Sequence, residues 1–341
     1  MTSESATGAI NPPTQETVFL GIDVGGTNVK LGLVSTAGVI FVRETLSTPQ
    51  LRTPERVFET AIAFADSQLA KLDRASVTLA GVGLGVPGVL DSEESVLREV
   101  VNLPEWEGKP LKKLLGNARN LPNAVVNDAN SAAYAEHALR SLGKKSLALV
   151  TLGTGIGCGL VINGSPYGGD HGCAGELGHT PIRFGNDALT CTCGKRGHLE
   201  AYAGTKGVIQ QIQQGATASK NDEILDLLST NDLAPKDIAL RAESGCDLCI
   251  AVIQQTAEYL GQAIGQLAQV MDPDVVLLGG AMTFGGSQTG IGQRFLDTVQ
   301  TTVINTTLEQ VGNNLTLEFA SLGNDAGVIG AAMVAQQVMS K

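Results

Sequence analysis

Hydrophobic and polar positions alternate along residues 17–23, 28–34 and 39–45, with glycine-containing turns between the runs. A period of two puts alternate side chains on one face, so the three runs predict the strands of an antiparallel meander. The apolar period lengthens to that of a helix over 54–72 and returns to strand character at 77–86. A short buried strand at 124–127 then leads into a helix at 128–141. A second meander occupies 146–152 and 156–162 around the turn Gly153-Thr154-Gly155, and this echo of the first suggests a duplicated lobe. Helices are expected over 205–228 and 235–270, a strand over 275–278 that meets Gly279 and Gly280, and a closing helix over 326–339. The stretch 205–241 carries no motif that assigns it a task. The organisation that follows is a frayed leader over 1–16, a first α/β lobe over 17–127 joined by the C-terminal helix 326–341, and a second α/β lobe over 128–325.

Composition narrows the class. With 341 residues, 43% hydrophobic content and 42 glycines, the chain can bury a core large enough for two lobes. The leader is rich in Ser, Thr and Pro and lacks the basic and apolar stretches of a signal peptide. No apolar run approaches the roughly 20 residues that span a bilayer. A formal charge of -11 opposes binding to nucleic acid, since no basic stripe offsets it. Six cysteines are too few for a disulfide scaffold in a chain of this length, which points to a soluble protein of the reducing cytoplasm.

Two glycine turns carry candidate chemistry. Asp23-Val24-Gly25-Gly26-Thr27-Asn28-Val29-Lys30 places an acid and two glycines where one strand turns into the next. Backbone N–H groups can approach a phosphate closely there, and Thr27 adds a hydroxyl. Asp23 suits Mg²⁺ held through water, and Lys30 supports the turn or its charge. A tight hairpin alone would account for this stretch equally well. Leu152-Gly153-Thr154-Gly155-Ile156-Gly157 repeats the design, and two opposed turns could grip a nucleotide tail. Neither turn continues into Gly-Lys-Ser/Thr or from strand into helix, which excludes a P-loop and disfavours a dinucleotide fold.

His179, Cys191, Cys193 and His198 bring two imidazoles and two thiols into one glycine-rich segment, the ligand types and number of a structural zinc site. Ordinary loop cysteines are the weaker explanation. Cys246 and Cys249 have no His nearby and read as small buried residues; Cys158 and Cys173 look equally structural.

Taken together, these motifs resemble the ROK family (repressors, open reading frames, kinases), and most closely its bacterial glucokinases. The resemblance runs over residues 18–338. Its most specific piece is Glu176-Leu177-Gly178-His179 followed by Cys191-Thr192-Cys193-Gly194-Lys195-Arg196-Gly197-His198-Leu199-Glu200, similar to the family's zinc and sugar signature. The family usually has a third Cys where His198 stands, so the implied ligand set is two His and two Cys. The resemblance implies an actin-like ATPase (ribonuclease H-like) fold with an active-site cleft between two lobes. It implies an ATP-dependent hexose kinase of glycolysis, glucose leading, with ATP, Mg²⁺ and structural Zn²⁺. Asn127-Asp128 matches the motif whose Asp is the general base, although taken alone Asp128 would be read as a helix N-cap. Sugar contacts carry over to Gly88, Asn102, Asn127, Asp128, Glu176, His179 and Glu200. Nucleotide contacts carry over to Asp23, Gly25, Gly26, Thr27, Asn28, Lys30, Gly153, Thr154, Gly155, Gly279 and Gly280. The segment Asn102-Leu103-Pro104-Glu105-Trp106 tilts the acceptor towards glucose over N-acetylmannosamine, N-acetylglucosamine, fructose or allose. Polyphosphate as donor finds no basic channel. A repressor would need a DNA-binding domain, and the leader is too short for one; a non-catalytic sugar sensor is disfavoured by Asp128. The family also implies a homodimer or higher homo-oligomer.

Overall fold

The computed structural model describes residues 16–71, 77–91, 93–100, 103–230 and 233–339. In the first half, strands β1 (Glu16–Val24), β2 (Asn28–Ser35) and β3 (Ile40–Ser47) form the meander. Helices α1 (Thr48–Leu51) and α2 (Pro54–Lys71) lead to β4 (Val77–Val86) and a hairpin of β5 (Val89–Asp91) and β6 (Val96–Glu99). Helix α3 (Leu111–Ala118), strand β7 (Asn123–Asn127) and helix α4 (Asp128–Leu139) follow. The second half opens with β8 (Leu147–Leu152), β9 (Ile156–Ile162) and the two-residue β10 (Ser165–Pro166). Helices α5 (Glu200–Ala203), α6 (Thr205–Ser219), α7 (Asp222–Ser229), α8 (Pro235–Glu243) and α9 (Asp247–Met271) precede β11 (Val275–Gly279). The chain then forms α10 (Gly290–Thr306), α11 (Glu309–Gly312), β12 (Thr316–Phe319) and α12 (Ala326–Met339).

Two five-stranded sheets result, in the orders β3-β2-β1-β4-β7 and β10-β9-β8-β11-β12. Each joins an antiparallel meander to two parallel strands, so the halves share one plan. One face of the first sheet buries Leu20, Ile22 and Leu84 against Phe58 and Ala61 of α2 and Leu111 and Leu115 of α3. Its other face meets α12, and the second sheet meets α4. These two helices pack on each other between the sheets, with Ala133, Leu149, Val328 and Ala332 in one apolar cluster. Beyond the second sheet lies a larger core with α6, α8, α9 and α10.

The pattern-based elements need three corrections. The helix expected over 205–228 is two, because Lys220 takes a left-handed conformation (φ 55°) between α6 and α7. The one expected over 235–270 divides between α8 and α9 at Gly245, with φ 89°. Helices α3 and α10 and strands β5, β6 and β12 lie outside the predicted elements.

Candidate active site

Strand β7 ends at Asn127 and helix α4 begins at Asp128. Asn127, not Asp128, is the N-cap: its Oδ1 accepts from the Ala129 and Asn130 N–H groups at 3.0 and 3.1 Å. Its Nδ2 donates to the Gly88 carbonyl at 3.2 Å. Gly88 has φ +91°, and a Cβ there would collide with the Glu99 carbonyl, so the turn after β4 requires glycine. Asp128 is thereby left at the first helical position, its Oδ1 accepting from the Ala129 N–H at 2.8 Å. Burial pushes the Asp128 carboxyl up to about 6, with the Asp23 and Glu176 carboxylates adding and the Ala129 N–H opposing.

Asp23 stands opposite Lys30 in the β1–β2 register. The Lys30 Nζ lies 3.7 Å from the Asp23 Oδ2 and donates to the Asn324 carbonyl at 3.0 Å. Burial raises the Asp23 carboxyl and the Lys30 ammonium opposes the rise. A Cβ at Gly327 would come within 2.5 Å of the Asp23 carboxylate, so the first turn of α12 makes room for the acid. A cavity of about 530 Å³ has Asp23, Lys30, Asp128, Thr151, Gly280 and Gly327 among its walls. A second, of about 260 Å³, shares Thr151, Gly280 and Gly323 and continues along Gly279 and Phe319. Gly280 has φ +91°, and a Cβ there would meet the Leu152 carbonyl.

The glycine turns flank this space. In the first, the Gly25 N–H donates to the Asn28 carbonyl at 2.8 Å, while Gly26, Thr27 and Asn28 are exposed. Thr48 secures the turn from α1: its hydroxyl donates to the Gly25 carbonyl at 2.7 Å and its N–H to the Thr27 carbonyl at 3.0 Å. Sequence reasoning missed Thr48, whose only signal is a threonine at the start of a helix. In the second turn the Gly153 N–H donates to the Gly155 carbonyl at 3.0 Å, and the Thr205 hydroxyl donates to the Gly153 carbonyl at 2.8 Å. Residues 25–28 and 153–155 are not among the cavity walls, although Asp23 and Thr151, two positions before each turn, are.

The segment 176–200 folds back on itself so that one nitrogen or sulfur each from His179, Cys191, Cys193 and His198 lie within 4.8 Å of one another. Cys191 Sγ is 3.7 Å from His179 Nδ1, and Cys193 Sγ is 3.2 Å from His198 Nδ1. Tetrahedral zinc with bonds of about 2.0–2.3 Å sets its ligand atoms about 3.3–3.8 Å apart, so the donor set fits the ion. Burial, with His179 beside it, lowers the His198 imidazole, which favours the neutral ring a ligand needs. His179 turns its other nitrogen, Nε2, towards the Glu176 carboxylate at 3.9 Å. Glu200 reaches elsewhere than the expected sugar contact alone: Oε2 accepts from the Ile156 N–H at 3.2 Å and Oε1 from the Thr192 hydroxyl at 2.8 Å. It ties the cysteine loop to the second glycine turn.

Asn102 lies outside the described residues. Trp106 of the same segment is fully buried, edge-on to Phe58 at 5.8 Å, and donates its Nε1–H to the Arg52 carbonyl at 2.9 Å. It is a core residue and does not itself select a sugar. Cys158 and Cys249 are buried and Cys246 is half-buried, whereas Cys173 is exposed.

Residues 19–338 match the ROK family. The chain belongs to the ROK family. It is 33% identical over 322 residues to a glucokinase of Halalkalibacterium halodurans, covering 94% of this chain and 95% of that one. The solved ROK hexokinase from Thermus thermophilus superposes with a TM-score of 0.75 at 28% identity, covering 95% and 99% of the two chains. A ROK glucokinase from Streptomyces griseus, solved in complex with glucose and AMPPNP, gives a TM-score of 0.71 at 27% identity, covering 94% and 99%. The two like-built sheets of this ROK chain are those of an actin-like ATPase fold. It is an ATP-dependent sugar kinase. Among the described residues, no helix is long and apolar enough to cross a membrane.

Proposed function

We propose that this chain transfers the γ-phosphoryl group of ATP to the 6-hydroxyl of D-glucose, with Asp128 as general base. The observation that carries this reading is the half-buried Asp128 carboxyl on the wall of a cavity it shares with Asp23 and Lys30. Ionised Asp128 accepts the proton of the attacking hydroxyl as that oxygen bonds to the γ-phosphorus and the bond to the ADP oxygen breaks. Phosphoryl transfer has a loose transition state, so alignment and a nearby proton acceptor are the main requirements. The two glycine turns and Lys30 hold the triphosphate, and the smaller cavity past Gly279 and Gly280 holds the adenosine. Mg²⁺ bound through water at Asp23 would neutralise phosphate charge.

The sugar lies between Asp128 and the 176–200 loop, bound by Glu176, His179 and Glu200, with Gly88 at the cleft wall. Asn127 acts by positioning, since its amide already caps α4 and holds the Gly88 carbonyl. Zinc at His179, Cys191, Cys193 and His198 would fix the His179 ring and so present Nε2 to the sugar. A hydroxyl acceptor left unpaired by a wrong epimer costs about 1–3 kcal/mol, enough for a few such groups to select among hexoses.

Glucose as acceptor is supported by the glucokinase relatives. A coupled assay of ADP release across glucose, N-acetylmannosamine, N-acetylglucosamine, fructose and allose tests it. Glucose is expected to give the highest kcat/KM. Better turnover of an N-acetylated sugar would transfer the assignment to that acceptor, and no turnover with any hexose would leave a sugar sensor. We place the lobe boundary at 127/128, with α12 returning to the first lobe, and the protein in the cytoplasm as a homo-oligomer; light scattering of the purified chain tests the assembly.

A further inference from the structure

The loop after β12 is fastened by a carboxylate for which the reaction has no use. Glu136 lies about two turns along α4 from Asp128 and is only 1% exposed, yet it borders the smaller cavity. Its Oε1 accepts from the Ser321 and Leu322 N–H groups at 2.6 and 2.8 Å. Its Oε2 accepts from the Ser321 hydroxyl at 2.9 Å and from the Arg140 Nε at 3.2 Å. Four donors on one buried carboxylate make a fixed, fully satisfied anchor. The segment it anchors supplies Ala320, Gly323 and Ala326 to the cavity wall. From the first sheet, Lys30 holds the Asn324 carbonyl and Arg43 pairs with Asp325 at 3.0 Å.

We propose that Glu136 is a nucleotide-positioning residue: by holding the Ser321 and Leu322 amides it sets the wall against which the adenosine of ATP packs. The proposal rests on the reading of the cleft as an ATP site. Asp128 and Glu136 belong to one helix, so α4 places the general base and the nucleotide wall in a common frame. Without the carboxylate, two amides lose their acceptor and the loop loses its inner attachment, while the sugar side of Asp128 is untouched.

Three variants of the full chain separate this from a general structural role. Glu136→Ala is expected to raise KM for ATP, and Kd for a non-hydrolysable ATP analogue, by about tenfold or more, with sugar KM within about twofold. Glu136→Gln keeps an oxygen for both amides, so its nucleotide affinity should stay within about threefold of the parent even though losing the Arg140 charge pairing lowers its unfolding temperature. Glu136→Asp, one methylene short, should resemble alanine in ATP affinity and serves if the alanine variant does not fold. A folded alanine variant with parental analogue affinity, equal losses of sugar and nucleotide affinity, or an aspartate variant that matches glutamine would each overturn the proposal. The parent chain is measured alongside: if it binds no analogue the ATP-site reading fails as well, whereas parental binding with unaffected variants defeats only the role of Glu136.

Discussion

Asp128 must ionise in a place where burial opposes ionisation. With its carboxyl pushed up to about 6, it is mostly ionised at neutral pH and a better proton acceptor than an exposed aspartate. The rate constant kcat/KM for the sugar should therefore rise with pH through about 6 and level off above it. Stability runs the other way. Between the ordinary carboxylate range and about 6 only the folded chain holds this proton, so stability falls as pH rises through that window and stays at the lower level beyond it. Asp128→Asn removes both effects: turnover should be lost with sugar affinity kept, and at pH 8 the variant should unfold at a higher temperature than the parent, the gap closing towards pH 4. Retained turnover would move the base elsewhere. That a strand-to-helix junction carried the acid was legible from residue types alone. Which of Asn127 and Asp128 caps the helix was not, because both are good caps and the choice is made by the Gly88 carbonyl, far away in sequence. Thr48 was invisible for the same reason, its partner Gly25 lying in another element.

At the scale of elements, the strands around the glycine turns were legible because short apolar runs bounded by glycine turns are a local signal, and β1, β2, β8 and β9 are in fact buried on both faces. Strand β12 was not: its four residues, Thr316–Phe319, are too few for a period to emerge, and pairing with β11 is what makes them a strand. Helix α10 is diluted by threonines and two glycines, and its start is set by the Thr289 cap bonding to the Gly292 N–H at 3.0 Å. The cysteine loop was the reverse case, with little regular structure but an unmistakable set of donors. The 3₁₀ turn Leu177–His179 and the start of α5 frame it, and isolated bridges pair Pro181 with His198 and Thr190 with Arg196, so the backbone itself brings the four donors together. Protein purified without added metal is accordingly expected to contain one zinc per chain by elemental analysis. Cys191→Ser should lose that zinc and raise KM for the sugar by about tenfold or more, since His179 and Glu200 would lose their fixed positions. Unchanged sugar affinity in the metal-free variant would reject a structural zinc.

For the whole molecule, the decisive contact is the one between α12 and α4, because α12 rests on β1 and β4 of the first sheet while α4 rests on β8 and β9 of the second. Their backbones meet where a Cβ at Gly330 would collide with the Ser131 carbonyl. Close by, the Ser131 hydroxyl donates to the Gly327 carbonyl at 2.9 Å. Any relative movement of the two sheets is referred to this helix pair, which also carries, side by side at one cavity, Asp128 on α4 and the glycine that clears Asp23 on α12. Helix propensity and tertiary packing make opposite predictions here. Gly330→Ala in an isolated helix would gain about 1 kcal/mol. At this contact the added methyl must separate the two helices or bend one of them, which should instead destabilise the chain by about 2 kcal/mol or more. Denaturant unfolding of the two proteins reads the sign directly. A loss accompanied by a raised KM for both ATP and sugar would show that the spacing between the sheets, and with it the width of the cleft, is set at this glycine; a gain in stability would mean that the helices do not touch as closely as the fold requires.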